Sequence, residues 1–128
     1  HDEGALVVKH CDGNIWPLLD AFCEAGFDGI HPLEPIAGMD LAEVKRRYGH
    51  RLCLLGNVDC GYVLSEASLD EVIAAVKACL HDGGPGGGYI MTSSNSVHSA
   101  VRPANYAAMV KACREYGQYP LDMQVLTR

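Results

Sequence analysis

The sequence predicts an α/β protein made of parallel β/α units. Short apolar runs alternate four times with amphipathic helical segments, and polar residues follow each run. Strands that alternate with helices form a parallel sheet, because each helix returns the chain to the start of the next strand. A complete barrel of eight such units takes about 250 residues. The 128 residues of this chain therefore correspond to about half of a TIM (β/α)8 barrel, and the alternative is a complete doubly wound fold of four or five strands.

The predicted helices have start and stop signals that set their limits. Asp40 followed by Glu43, and Ser68 followed by Glu71, have the spacing of a capping box. Pro103 precedes the last helix, and glycine commonly follows a helix end. These signals predict helices over residues 15–25, 41–48, 69–80 and 105–116, with Asn14 as the first N-cap and Gly26, Gly49 and Gly117 as stops.

Apolar residues at intervals of three and four predict the inward side of each helix. The predicted inward residues are Ile15, Leu18, Leu19, Phe22 and Cys23 in the first helix, Leu41, Val44 and Tyr48 in the second, Leu69, Val72, Ile73, Val76 and Leu80 in the third, and Tyr106, Met109, Val110 and Cys113 in the fourth. The intervening apolar runs predict strands over residues 5–10, 27–33, 51–59 and 88–94.

Composition excludes several classes of partner. The net charge is −6 and no basic stripe is present, so we expect no nucleic-acid partner. No apolar stretch approaches the roughly 20 residues that cross a bilayer, so we expect no membrane partner. The six cysteines are scattered without a C-x-x-C pair, which favours reduced thiols and a cytoplasmic location.

Polar side chains follow each predicted strand at its carboxyl end. In parallel α/β folds these ends carry the chemistry, so the set predicts an active-site mouth for a small-molecule substrate. The alternative is that Asp12, Asp59 and Asn95 only cap the turns that follow. The candidates are His10, Asp12 and Asp59 for catalysis, and His31, Glu34, Asn57, Ser94, Asn95 and His98 for substrate binding.

The stretch "VVKHCDGN" (7–14) places three reactive side chains where a strand meets a turn. Residues two apart on a strand share a side, so His10 and Asp12 are predicted to face the mouth and Cys11 the helices. We expect His10 to donate a hydrogen bond to an anionic substrate and Asp12 to orient it. We expect no metal; the alternative is a nitrogen and oxygen site of His10, Asp12 and Glu34. Asp59 is predicted as a general acid, or as the cap of the turn at Gly61.

Five segments occur in an informative order: "HCDGN", "PLEPIAGMDLAEVKRRYG", "LLGNVD", "GGGYIMTSSNSVHSAVRPANYAAMVKACREYG" and the closing "YP". Together they resemble the uroporphyrinogen decarboxylase (URO-D) superfamily over nearly the whole chain. The resemblance implies that residues 1–128 are the C-terminal half of that family's TIM-barrel domain, without its N-terminal half. A half barrel has two open sheet edges, so we also expect a homo-dimer or aggregation.

The resemblance implies carboxy-lyase chemistry on a carboxylated tetrapyrrole in porphyrin biosynthesis, without a cofactor. The family's main aspartate, arginines and tyrosine come largely from the absent half, so the fragment alone is expected to be inactive. Asn95 stands near the position of the family's late histidine, which is a departure from the decarboxylase pattern.

Two alternatives remain open at the level of sequence. The family's methyltransferase branch works with a corrinoid and often with zinc, held by a His-x-Cys pair and a later cysteine. Here the pair reads His10-x-Asp12, and "TSSNS" has no cysteine, so a thiolate-rich zinc site is not supported. The second alternative is a non-enzymatic, doubly wound domain that binds a ligand or a partner.

Overall fold

The computed structural model describes residues 1–126, which form one four-stranded sheet with helices packed against it. The last two residues, 127 and 128, lie outside the described part. The strands are β1 (Val8–His10), β2 (Gly29–His31), β3 (Cys53–Val58) and β4 (Tyr89–Ser93). The α-helices are α1 (Leu19–Glu24), α2 (Leu41–Tyr48), α3 (Leu69–Gly83) and α4 (Pro103–Tyr116), and short 3-10 turns lie at Trp16–Leu18 and Pro35–Ala37.

The strand order distinguishes a barrel sector from a doubly wound sheet. Each strand pairs in parallel with the next one along the chain, in the order β1-β2-β3-β4. A doubly wound sheet instead reverses its strand order at a switch point. The prediction of parallel β/α units, about half of a barrel, is confirmed, and the doubly wound arrangement is wrong.

Two apolar clusters fill the space between the sheet and the helices. The first joins β2 and β3 to α1 and α2, and its fully buried members include Ile30, Val44 and Leu54. The second joins the end of β3 to α3 and α4. Its buried members are Val58, Cys60, Leu64, Val72, Val76, Leu80, Val101, Met109, Ala112 and Leu126.

The predicted N-cap side chains accept hydrogen bonds at two helices, and the reciprocal capping box is recorded at α3. At α3 the Ser68 side chain accepts from the Glu71 backbone N–H, and the Glu71 carboxylate accepts from the Ser68 backbone N–H at 2.8 Å. At α2, Asp40 accepts from the Glu43 backbone N–H at 2.9 Å. Asn14 accepts from the Trp16 N–H, but a 3-10 turn precedes α1, so the first helix is shorter than predicted.

Three side chains predicted to face inward are exposed instead. Leu18 lies in the 3-10 turn and Leu69 in the first turn of α3, and they are 44% and 49% exposed. Tyr106 of α4 is 39% exposed, while its neighbour Asn105 is buried. The Asn105 amide donates to the backbone carbonyls of Val63 and Ala67, which explains why a polar residue faces the core.

The first two strands are three residues each, shorter than the apolar runs. In the run before Val8, the Val7 carbonyl still accepts from the Asp28 backbone N–H at 2.9 Å, but Leu6 is 79% exposed. After His31 the chain turns, because Pro32 has no backbone N–H for the ladder and Leu33 has a φ of 57°. The polar residues after β2 therefore belong to a loop.

Residues 118–126 form neither a strand nor a helix, yet they pack against the protein. Leu126 is buried in the second cluster, and the Tyr119 hydroxyl donates to the Gly84 carbonyl at 2.6 Å. All six cysteines are free thiols, as predicted. No helix in the part of the chain that the structure describes is both long and apolar enough to span a membrane.

Candidate functional site at the carboxyl ends of the strands

The parallel register of β1 and β2 brings two histidines together at the sheet's carboxyl end. His10 and His31 are direct partners in the ladder, and each is the last residue of its strand. Their Nδ1 atoms lie 2.7 Å apart, and the ring centroids are 4.9 Å apart with an interplanar angle of 36°. The two imidazoles are therefore joined by one hydrogen bond.

Asp12 extends this pair toward solvent. Its Oδ1 atom lies 3.0 Å from His10 Nε2, and the Asn95 amide donates to the same oxygen at 3.2 Å. The Asp12 side chain is 57% exposed, so a ligand has access to it. Cys11 lies between the two residues in sequence but packs against the first apolar cluster. The orientation predicted from strand alternation is confirmed.

Asn95 joins the loop after β4 to the loops after β1 and β2. Its Nδ2 atom also donates to Glu34 Oε1 at 2.8 Å, and Glu34 Oε2 accepts from the Gly13 backbone N–H at 2.5 Å. A continuous chain of hydrogen bonds thus runs through His31, His10, Asp12, Asn95 and Glu34. We call these five residues the strand-end chain.

The surroundings of His31 favour its neutral form. Partial burial lowers the pKa of His31, and the nearby His10 lowers it further. A hydrogen bond with the Ser93 backbone and the charge of Asp12 raise the pKa of His31, but they do not overcome the two larger effects.

Asp59 lies half-buried after β3 and caps its own turn. Its carboxylate accepts from the backbone N–H groups of Gly61, Tyr62 and Val63 at 3.2, 2.7 and 3.4 Å. No hydrogen bond joins it to the strand-end chain among residues 1–126. The geometry supports the cap that the sequence offered as the alternative, and the role of general acid stays a prediction.

Two predicted substrate-binding residues, Asn57 and Ser94, are buried, with their polar atoms engaged by the protein. Asn57 donates to the Leu33 carbonyl at 2.8 Å and accepts from the Cys79 thiol at 3.5 Å. The hydroxyl of Ser94 accepts from the Cys60 backbone N–H at 3.1 Å. These side chains hold the loops around the strand ends in place, so in this arrangement they are not open to a substrate.

His98 is exposed in the loop before α4, where its ring accepts from the Ala100 N–H at 3.3 Å. It is not part of the strand-end chain, and substrate contact by His98 stays a prediction.

On the helix side of β3 lies a cavity of about 460 Å³, lined in part by Met39, Asn57, Asp59 and Cys79. Burial raises the pKa of the Cys79 thiol to about 11, so this thiol stays protonated and donates to Asn57.

The donor set does not fit a zinc ion. Both ring nitrogens of His10 already have partners in His31 and Asp12, and Glu34 is held by Asn95 and Gly13. Cys11, which a thiolate site would need, packs on the opposite side. Among the described residues, no three His, Cys, Asp or Glu side chains are grouped so as to hold a metal ion.

One member of the site was missed by the sequence argument. The Gly13 backbone N–H binds Glu34, and Gly13 adopts a φ of 81°, where a residue with a side chain is strained. The glycine that directly follows Asp12 in "HCDGN" was the available signal, because a glycine after a strand end commonly marks a tight turn.

A sequential parallel β/α sheet with polar side chains at its carboxyl edge defines part of a (β/α)-barrel protein with its site at the usual end. More specifically, the chain belongs to the uroporphyrinogen decarboxylase (URO-D) family, whose model matches residues 1–116.

The relatives of this chain are considerably longer than it is. The uroporphyrinogen decarboxylase of Thioalkalivibrio sulfidiphilus is 30% identical over 109 residues, which cover 82% of this chain and 28% of that protein. The enzyme of the same name from Shewanella loihica is 29% identical over 119 residues, covering 85% of this chain and 32% of that protein. A methyltransferase from Methanosarcina mazei has a similar structure, with a TM-score of 0.75 and 25% identity over 90% of this chain and 32% of its own.

Proposed function

We propose that the protein to which this chain contributes is a carboxy-lyase that acts on a carboxylated tetrapyrrole in porphyrin biosynthesis. Membership of the URO-D family and the names of the curated relatives support this proposal. The observation that carries it is the strand-end chain, which gathers two imidazoles and two carboxylates at the mouth of the barrel sector.

The proposed reaction needs an anion beside the pyrrole ring. A proton adds to a pyrrole carbon and the ring becomes cationic. Carbon dioxide then leaves, and the electron pair of the broken C–C bond stays on the substrate. A carboxylate that faces the pyrrole N–H groups stabilises such a cation. The resemblance places the family's main aspartate in the absent half, so within this chain Asp12 suits a supporting part in this role, because it is accessible and is held in place by His10 and Asn95.

We further propose that residues 1–128 are the C-terminal half of a barrel domain, and that the N-terminal half supplies the cations that hold the substrate's carboxylates. The limited share of each relative that the chain covers supports this division. By itself the 128-residue chain should then be inactive, and it should dimerise or aggregate through its open edges. Light scattering after size exclusion tests this, and a strictly monomeric chain with a sharp two-state melt would contradict it.

The reaction is tested with the longer polypeptide and uroporphyrinogen under reducing conditions. Mass spectrometry should show stepwise loss of carbon dioxide with the parent protein and with Cys11→Ser, and almost none with His10→Ala. The Cys11 variant is the matched control, because Cys11 is adjacent in sequence but faces the helices. A parent protein that leaves uroporphyrinogen unchanged would contradict the proposal.

Methyl transfer to or from a corrinoid is the second candidate, supported by the similarity to the Methanosarcina mazei methyltransferase. The side chain at the position of the expected thiolate is that of Asp12, so decarboxylation is the better supported reaction. The absorbance change of methylcobalamin on incubation with protein and a thiol distinguishes the two. Stoichiometric zinc that is lost in Cys11→Ser would shift the conclusion to methyl transfer.

A further inference from the structure

We propose that Asn57 is a positioning residue, which holds the loop after β2 in the conformation that brings Glu34 into the strand-end chain. Asn57 lies near the end of β3 and is only 6% exposed, so it acts without touching the substrate. The consequence for turnover rests on the proposed decarboxylation, but the contacts that place Glu34 do not.

The side-chain amide of Asn57 has one orientation. Its Nδ2 group donates to the Leu33 carbonyl at 2.8 Å, and its Oδ1 atom accepts from the Cys79 thiol at 3.5 Å. If the amide were turned over, its oxygen would face the Leu33 carbonyl, and two acceptors repel each other. Burial raises the pKa of the Cys79 thiol to about 11, so this thiol keeps its proton and favours the same orientation. The Leu33 carbonyl is therefore held by an N–H donor.

The loop after β2 needs such an anchor because of the conformation of Leu33. Among residues 1–126, Leu33 is the one residue other than glycine that has a positive φ, at 57°. The left-handed region crowds the β-carbon of an L-residue, so a residue without restraining contacts leaves it. The side chain of Leu33 is fully buried, and its carbonyl is bound by Asn57. These two contacts hold the residue in an unfavourable conformation.

Gly56 allows the same loop to approach β3 closely. A β-carbon at position 56 would overlap the carbonyl oxygen of Pro32, so a residue with a side chain does not fit there. The Tyr89 hydroxyl donates to the Gly56 carbonyl at 2.6 Å and fixes the strand at this point. Residues 56 and 57 of β3 thus hold residues 32 and 33 of the loop together.

Glu34 connects this anchor to the site. The backbone at Leu33 sets the position of Glu34, whose carboxylate accepts from the Asn95 amide at 2.8 Å and from the Gly13 N–H at 2.5 Å. Without the Asn57 donor, the Leu33 carbonyl is a buried acceptor without a partner, and Leu33 relaxes to a negative φ. Glu34 then withdraws from both donors. The other carboxylate that Asn95 binds is held less firmly as a result.

Two variants remove the amide donor, and one variant serves as the matched control. Asn57→Ala and Asn57→Ser both lack the N–H group, and Asn57→Ser leaves the smaller void. Asn105→Ala is the control, because Asn105 is also a buried amide that donates to loop carbonyls, those of Val63 and Ala67, but lies outside the strand-end chain. All are made in the longer polypeptide used for the activity assay.

The backbone amide of Gly13 reports the position of Glu34 directly. We would label the polypeptide with ¹⁵N-glycine and identify the Gly13 signal by its loss in Gly13→Ala. In both Asn57 variants the Gly13 amide proton should move upfield and exchange with solvent about 10-fold faster, because it loses its carboxylate acceptor. In Asn105→Ala the signal should stay in place. An unchanged Gly13 signal in the Asn57 variants would overturn the proposal.

Kinetics test whether Asn57 acts through Glu34. Asn57→Ala should lower kcat about 10- to 100-fold, since a displacement of about 1 Å at a site can cost this much, and Asn105→Ala should leave kcat within a few-fold of the parent. In a Glu34→Ala background, Asn57→Ala should change kcat by less than about 2-fold. Fully additive losses would overturn the proposal. The NMR result is read whether or not the protein decarboxylates uroporphyrinogen, so failure of the positioning role and failure of the proposed function are separate outcomes.

Discussion

The first two β/α units and the last two differ in the lengths of their strands and helices and in the number of site residues they contribute. β1 and β2 have three residues each, and α1 and α2 have six and eight. β3 and β4 have six and five residues, and α3 and α4 have 15 and 14. Four of the five members of the strand-end chain nevertheless come from the shorter units, and only Asn95 follows β4.

This difference in element length and in site residues indicates that the two regions contribute differently to stability and to activity. The second region is held by apolar packing between two long helices, with Val76 and Met109 in its core. The first region has an apolar cluster of its own, and in addition the chain after each of its strands is fixed by hydrogen bonds between side chains of the mouth. Substitutions in the mouth should therefore change activity more than stability, and substitutions under α3 and α4 should do the reverse.

The largest expected effect is that of His10→Ala on turnover. The imidazole is exposed and contacts Asp12, so its loss should lower kcat of the longer polypeptide by about 10²- to 10⁴-fold. The free energy of unfolding should change by less than about 0.5 kcal/mol, as for other exposed sites. Steady-state kinetics and urea unfolding measure the two quantities. A large loss of stability with normal kcat would contradict the expectation that residues of the mouth affect activity more than stability.

Leu64→Ala tests the second region. Leu64 is fully buried in the second cluster, so its truncation should lower the free energy of unfolding by about 2–5 kcal/mol. Leu69→Ala is the matched control, because Leu69 begins α3 but is 49% exposed, and it should cost less than about 0.5 kcal/mol. Equal losses in urea unfolding would show that the second cluster does not pack as described.

Two substitutions of Asp59 distinguish a structural role of its side chain from a catalytic one. Asp59→Ala removes the acceptor of three backbone N–H groups, so it should cost about 0.5–2 kcal/mol of unfolding free energy. Asp59→Asn keeps an oxygen acceptor but cannot act as an acid. Turnover within a few-fold of the parent in Asp59→Asn would support the cap alone, and a loss of at least about 10²-fold would establish the general acid.

Ser68→Ala should remove the capping box at the start of α3. The expected cost is about 1 kcal/mol, because the first backbone N–H groups of the helix lose an acceptor. Ser99→Ala, in an exposed part of the loop before α4, is the control and should be close to neutral. Equal urea midpoints for the two variants would refute the capping contribution.

The smallest expected effect is a pH dependence in the first region. The folded state lowers the pKa of His31 below its ordinary value of 6.5, so the unfolded chain binds more protons between the two values. The contribution of His31 to stability is present above pH 6.5 and is lost as the pH falls through the folded-state pKa. Urea midpoints measured over this window should show a shallower slope in His31→Asn. An unaltered slope would exclude His31 as its source.

The amino-acid sequence determined the features that depend on neighbours along the chain. The apolar runs and capping signals defined four β/α units, and their spacing gave the parallel sheet. Strand alternation put His10 and Asp12 on one side and Cys11 on the other. These features follow from the two-residue period of a strand and from hydrogen bonds within one helical turn.

Only the tertiary structure decided which of the polar residues meet. Asn95 binds Asp12 and Glu34 from 83 and 61 residues away, and no local pattern specifies such contacts. Asn57 and Ser94 also follow strands, yet they are buried and bind the backbone of neighbouring segments. The direction of a side chain after a strand depends on how its loop turns and on what packs beside it. The register of the sheet, and not the composition of the strand ends, therefore selects His31 as the partner of His10.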